Sequence, residues 1–138
     1  MMRSAALCLT ALLILGGCRY EKGPKFSLRS ADKRIVRVWV MDKYYDNGVD
    51  KTDYYKSLFP GYKLEIKDDN NYTLTAESII PFKETGTWEW QEGKTKLNLR
   101  KNGTGTNVWR VLRLTAKEFW ADQVDGNGHT IEYRLKAD

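Results

Sequence analysis

The chain has 138 residues, 41% hydrophobic and 12% aromatic, with 23 basic and 18 acidic side chains and a formal charge of +5. One domain fits that length and two do not, and with Cys8 inside an N-terminal apolar segment and Cys18 just after it, no intramolecular disulfide is expected. Residues 19–34 carry six basic side chains against two acidic ones, while residues 35–138 carry sixteen of each sign, so an exported, neutral domain argues against a nucleic-acid partner.

Arg3 is the only charge before an apolar-rich run over residues 5–15. That run is too short for a spanning helix, which needs about 20 residues, and it reads as the core of a secretory signal. It ends Leu15-Gly16-Gly17-Cys18, an apolar residue and two small ones before a cysteine, which is the bacterial lipobox. Residues 1–17 are therefore expected to be a lipoprotein signal peptide, with the Cys18 thiol accepting a diacylglyceryl group and anchoring the protein to a membrane. More than one acyl chain makes such anchoring stable. Arg19 is not the Asp that favours inner-membrane retention, so the expected location is the cell envelope, anchored to the outer membrane.

Residues 18–33 show no apolar periodicity and contain Gly23, Pro24, Ser27 and Ser30, which predicts a flexible basic tether reaching roughly 20 Å. Its charges Arg19, Lys22, Lys25, Arg29 and Lys33 either sit near anionic head groups, at about 1 kcal/mol each, or simply keep a linker solvated. From residue 34 the pattern changes to short apolar–polar alternations separated by turn signals, which is the signature of strands.

A first strand is predicted over 35–44. A second places Tyr62, Leu64 and Ile66 on one face, and a third Tyr72, Leu74 and Ala76, with Asp68-Asp69-Asn70 turning between them. Pro81 ends the third strand. Trp88 and Trp90 share a face of the fourth, Glu92-Gly93 turns into a fifth with Leu97 and Leu99, and a loop at 102–105 precedes a sixth over 108–114. The seventh runs over 118–124, and the last alternates Ile131, Tyr133 and Leu135 with Glu132, Arg134 and Lys136. The exception is 45–60, too long for a hairpin. One or two helical turns over 50–59 are predicted there, with Asp50 or Thr52 as N-cap and Tyr54, Tyr55, Leu58 and Phe59 as an apolar face, forming a flap. The expected fold is all-β: an eight-stranded antiparallel up-and-down barrel over 34–138, with a β-sandwich as the competing layout.

Trp39 in the first strand, the long first connection, Gly86-Thr87-Trp88, Arg113-Leu114-Thr115 and a closing strand through Arg134 together resemble a lipocalin-like (calycin-type) lipoprotein of the kind common in Bacteroidetes. The resemblance covers residues 34–138. It departs from the family at Arg37, where a glycine is usual. It implies a small hydrophobic ligand inside the barrel, entered beside the flap. The implied lining includes Trp39, Tyr62, Leu64, Tyr72, Leu74 and Trp88, together with Trp90, Trp109, Phe119 and Tyr133, and with Leu97, Leu99 and Leu135 between them. It also implies a structural lock in which Arg134 packs on Trp39 by cation–π contact. The residues themselves leave a second reading open. An eight-stranded barrel is just wide enough for side chains to fill, so the same aromatics serve equally as a solid core, and the protein then works by presenting its flap to an envelope partner.

No catalytic constellation emerges, and neither enzymatic activity, a metal nor a cofactor is expected. His129 is the lone histidine, placed after a Gly-rich turn as a solvated loop residue, and nothing remains to complete a triad or a zinc site. Asp42, Asp46, Asn47, Asp50 and Asp53 do not follow calcium-loop spacing and are read as a turn and a helix cap.

Overall fold

A computed structural model describes residues 20–103 and 105–138. The predicted signal peptide and the expected lipidation at Cys18 lie outside the described residues. In chain order the elements are α1 (Ala31–Ile35), β1 (Val38–Asp46), β2 (Val49–Asp50), α2 (Thr52–Leu58), β3 (Lys63–Ile66), β4 (Asn71–Ala76), β5 (Phe82–Gln91), β6 (Lys96–Lys101), β7 (Thr106–Leu114), β8 (Glu118–Val124) and β9 (Thr130–Ala137).

Every pairing is antiparallel. β1 pairs with β3, each strand from β3 to β9 pairs with the next, and β9 returns to pair with β1 through Trp39↔Ala137 to Asp46↔Ile131. The sheet thus closes into an eight-stranded up-and-down barrel, and the sandwich alternative is set aside. The two-residue β2 is a tab on the end of β1. Closure leaves the main strands without free edges. Bulges between Met41 and Lys43 and between Val111 and Arg113 add local twist where β1 and β7 bend around the wall. Asn47 and Asn70 take positive φ in the tight turns, as asparagine does at low cost.

Two predictions about the N-terminal part need correction. β1 starts at Val38, because 31–35 is helical: Ser30 caps it by accepting the Lys33 N–H at 3.3 Å, and Ala31 and Ile35 face the core. The tether is not free over its whole length either. Tyr20 is 1% exposed, its hydroxyl donates to the Lys94 carbonyl, and Lys22 and Gly23 exchange backbone hydrogen bonds with Leu112 and Leu114 of β7. Arg34 lies over the Tyr20 ring and donates to the Leu114 carbonyl. The apolar ring of Tyr20 and these backbone groups find partners at the barrel end, which outweighs the polar composition around them.

The two ends of the barrel therefore differ. α1 and Tyr20 plug one, hereafter the closed end. α2 lies across the other, held by Thr52, whose hydroxyl accepts the Tyr44 N–H at 3.0 Å. Asp50 accepts both the N–H and the hydroxyl of Thr52, which explains why its carboxyl is held below the usual range. The predicted face of α2 splits: Tyr55 and Phe59, four apart, turn inward, while Tyr54 and Leu58 stay exposed.

Candidate functional site

The predicted lining residues do point into the barrel, but most of them touch one another. A column of rings runs from the closed end to α2. Trp39 meets Phe119 at 5.6 Å, Phe119 meets Trp109 at 6.0 Å, and Trp109 stacks on Tyr133 at 4.9 Å. Tyr133 meets Tyr44 at 5.5 Å, and Tyr44 stacks on Tyr55 of α2 at 4.1 Å. Leu64, Tyr72, Leu97, Leu99 and Leu135 are buried around the column. Each such ring pair adds about 0.5–1.5 kcal/mol beyond area burial. Along the column these rings and leucines pack on one another, which is the filled-core arrangement that an eight-stranded barrel is just wide enough to hold.

Trp88 and Trp90 are not near the entrance. They meet edge to face at 6.2 Å at the closed end, where the Trp88 indole donates to the Lys67 carbonyl and that of Trp90 to Asp32. Between them and α1 lies an open cleft of about 590 Å³. Both indole N–H groups are already engaged, so the cleft offers ring faces and rim carboxylates but no unpaired buried donor.

The expected lock between Arg134 and Trp39 does not form. Arg134 stands on the outer wall, 4.2 Å over Trp120 and 4.8 Å over Tyr45, with Glu132 accepting from its Nε at 2.8 Å. Arg113 covers Trp120 at 5.3 Å. In the β1–β9 register Arg134 is paired with Lys43, whereas the inward residues of β9 are Tyr133 and Leu135. Trp39 takes its cation from Arg37 instead, 5.9 Å from its ring, at the very position where the family usually has glycine.

At the α2 end, Tyr55 acts as a stopper, its ring 6.1 Å from Tyr62 and 5.0 Å from Phe59. The hydroxyls of Tyr55, Tyr62 and Tyr133 converge there, and none hydrogen-bonds to a described residue. Burial first, and neighbouring phenols second, push all three up: Tyr133, beside Tyr44, to about 12, and Tyr62, the most deeply buried, well above its usual value. Beside them the inward-facing Glu84 accepts from the Tyr72 hydroxyl at 2.9 Å and has Lys101 3.8 Å away. An open cleft of about 320 Å³ leads to the stopper between Tyr44, Asp46, Lys51 and α2. This is the size of a small ligand site, and it combines ring faces with a few polar groups. Sequence alternation could place Tyr62 and Tyr133 inward, but their convergence with Tyr55 depends on where α2 lands.

His129 differs from the solvated loop residue expected. It is half-exposed and sits between two carboxylates, hydrogen-bonded through Nε2 to Asp46 and 3.5 Å from Asp125 through Nδ1. The bond to Asp46, with Asp125 adding, raises its pKa. This contact ties the β8–β9 turn to the end of β1. A raised folded-state value contributes stability that is complete below the ordinary imidazole value of about 6.5 and is lost as pH rises through the raised one. His129→Gln is thus expected to lower the thermal midpoint at pH 6 and to leave it nearly unchanged at pH 9. Equal losses at both pH values would show that the ion pair is not the cause. Asp42 lies 3.9 Å from Lys136, so Asp42, Asp46 and Asp50 have separate partners, and no cluster of three metal-ligating side chains occurs among the described residues.

A closed eight-stranded antiparallel barrel, with a short helix after the first strand laid over one end, is compatible with a lipocalin-like fold. No family model and no curated protein matches the chain. Among solved structures it is similar to an uncharacterized protein from Bacteroides eggerthii, with a TM-score of 0.56 and 10% identity, covering 75% of this chain and 98% of that one. At that identity the likeness speaks for the fold alone.

Proposed function

We propose that this chain is a lipoprotein of a bacterial envelope, anchored through Cys18 to the outer membrane, whose lipocalin-like barrel binds a small molecule at its α2 end. The anchor is supported by the Leu15-Gly16-Gly17-Cys18 motif after a short apolar segment. Binding is its role, with no reaction assigned to it. The observation that carries the ligand reading is the open cleft of about 320 Å³ against the stopper, where the rings of Tyr44, Tyr55 and Phe59 meet the polar groups of Asp46 and Lys51. A ligand with an apolar body packs on these rings, its acceptor takes hydrogen bonds from the Tyr55, Tyr62 and Tyr133 hydroxyls, and Tyr55 must swing aside on α2 to admit it fully. The expected hydrophobic ligand is thereby sharpened to an amphipathic one.

Tyr62→Phe separates this from a purely structural role. Without ligand the variant is expected to match the parent's stability to within about 1 kcal/mol, because the Tyr62 hydroxyl makes no hydrogen bond to a described residue. Native mass spectrometry of protein extracted from its own envelope is expected to show a co-purifying small mass that is depleted in Tyr62→Phe. A marked loss of stability in Tyr62→Phe, or a bare protein mass in the parent, would defeat the ligand reading.

A second reading rests on a different observation. Ile79, Ile80, Tyr54 and Leu58 are exposed around the same end, Ile79 completely. Exposed apolar side chains at one end of the barrel suit an envelope protein partner. Ile79→Ser with Ile80→Ser is expected to abolish capture of that partner while leaving the co-purifying small mass in place.

A further inference from the structure

Beyond anchoring itself, we infer that residues 24–30 form a membrane-seating surface that stands the barrel with its closed end on the bilayer and its α2 end away from it. The inference rests on the proposed acylation of Cys18 and adds an orientation to it. Tyr20 is locked into the closed end by the Lys94 carbonyl and the Arg34 guanidinium. Two residues of chain span at most about 7 Å, so an acyl group on Cys18 enters the bilayer beside this end.

The loop that follows has the chemistry of a bilayer interface. Phe26 is 78% exposed and Leu28 94%, apolar side chains presented outward with nothing of the protein over them. Lys25 and Arg29 line the same groove as these two side chains and Lys22 and Lys33 flank them along the chain, all four exposed and none in an ion pair with a described residue. The nearby acids are engaged: Glu21 lies 3.7 Å from Arg110, and Asp32 2.8 Å from Lys94. Asp68 and Asp69 belong to the separate β3–β4 turn. An open groove of about 490 Å³ between the loop, Tyr20 and Arg34 leaves room for a head-group phosphate beside Lys25 and Arg29. Apolar side chains flanked by unpaired cations are what an anionic bilayer surface attracts, each cation contributing about a five-fold gain in partitioning. A protein partner would not account for the position of this patch next to the acylated residue.

The test uses protein purified from its own membrane and reconstituted in phosphatidylglycerol vesicles that contain spin-labelled acyl chains. A fluorophore is placed on a single thiol, in Leu28→Cys or, as the far-end comparison, in Ile79→Cys. The Leu28 probe is expected to be quenched several-fold more than the Ile79 probe. The difference should shrink in phosphatidylcholine vesicles or with Lys25→Glu and Arg29→Glu added. Equal quenching, or stronger quenching at Ile79, overturns the inference. The mass of the residue-18 peptide is read on the same sample. An acylated peptide with an unquenched Leu28 probe overturns the seating surface and leaves the anchor standing. An unacylated peptide overturns the anchor. Binding of that unacylated protein to the anionic vesicles then supports the surface on its own, and failure to bind overturns it.

Discussion

Trp39→Ala is expected to cost about 4 kcal/mol, within the range of about 3–5 kcal/mol measured for buried Trp or Phe truncation. Trp39 is fully buried where β1 leaves α1. Its indole donates to the Ile35 carbonyl at 2.9 Å and its ring packs on Phe119. Truncation opens a cavity at the foot of the aromatic column, leaves the Ile35 carbonyl without its donor, and strips Arg37 of the ring it covers. The thermal midpoint of a domain this size then falls by about 15 °C. Urea unfolding should show a lower midpoint at unchanged slope. A loss below about 1 kcal/mol would mean that the column does not hold the closed end together. Trp39→Phe keeps the ring contact but loses the donor, and should fall between the variant and the parent.

Gly86→Ala is the second large effect, of about 3 kcal/mol, at the upper end of overpacking penalties. Gly86 lies mid-strand in β5, opposite Tyr72 on one side and Lys101 on the other. Its backbone is extended, so the demand is for space rather than for an unusual φ. A Cβ there would lie 2.0 Å from the Arg100 carbonyl oxygen and 2.7 Å from the Tyr72 ring. The carbonyl belongs to the neighbouring strand and cannot rotate away, so β5 and β6 must separate. Thr87→Ala, one residue on and facing outward, should change stability by no more than about 0.5 kcal/mol. If the two alanine variants melt together, the crowding at Gly86 is not real.

Much of this fold was legible residue by residue. Tyr62, Leu64 and Ile66, Tyr72 and Leu74, and Tyr133 and Leu135 all alternate with polar residues and all face inward, because a strand's side-chain period is local. The same alternation already set Arg134 on the face opposite Tyr133 and Leu135. Its assignment to Trp39 came from family resemblance and conflicted with the period, and the wall of Trp120 and Tyr45 shows that the period was the better guide. The helix at 52–58 was legible from its apolar spacing, although not which pair of that spacing turns inward. α1 was hidden because five residues with three charges carry too little periodicity to separate from a linker. Nor could the docking of Tyr20 be seen, since its partners, Lys94 and the end of β7, lie more than 70 residues away.

Alternation and turn residues by themselves determined the strands and their hairpin order, because each depends on neighbours a few positions apart, whereas closure of the sheet rests on β1 meeting β9 across the length of the domain. Only the tertiary structure decided whether the interior is cavity or core, which cation meets which ring, and which tyrosine hydroxyls converge under α2. Those outcomes depend on register, on two bulges and on how much volume eight strands enclose, quantities that exist only once distant segments meet.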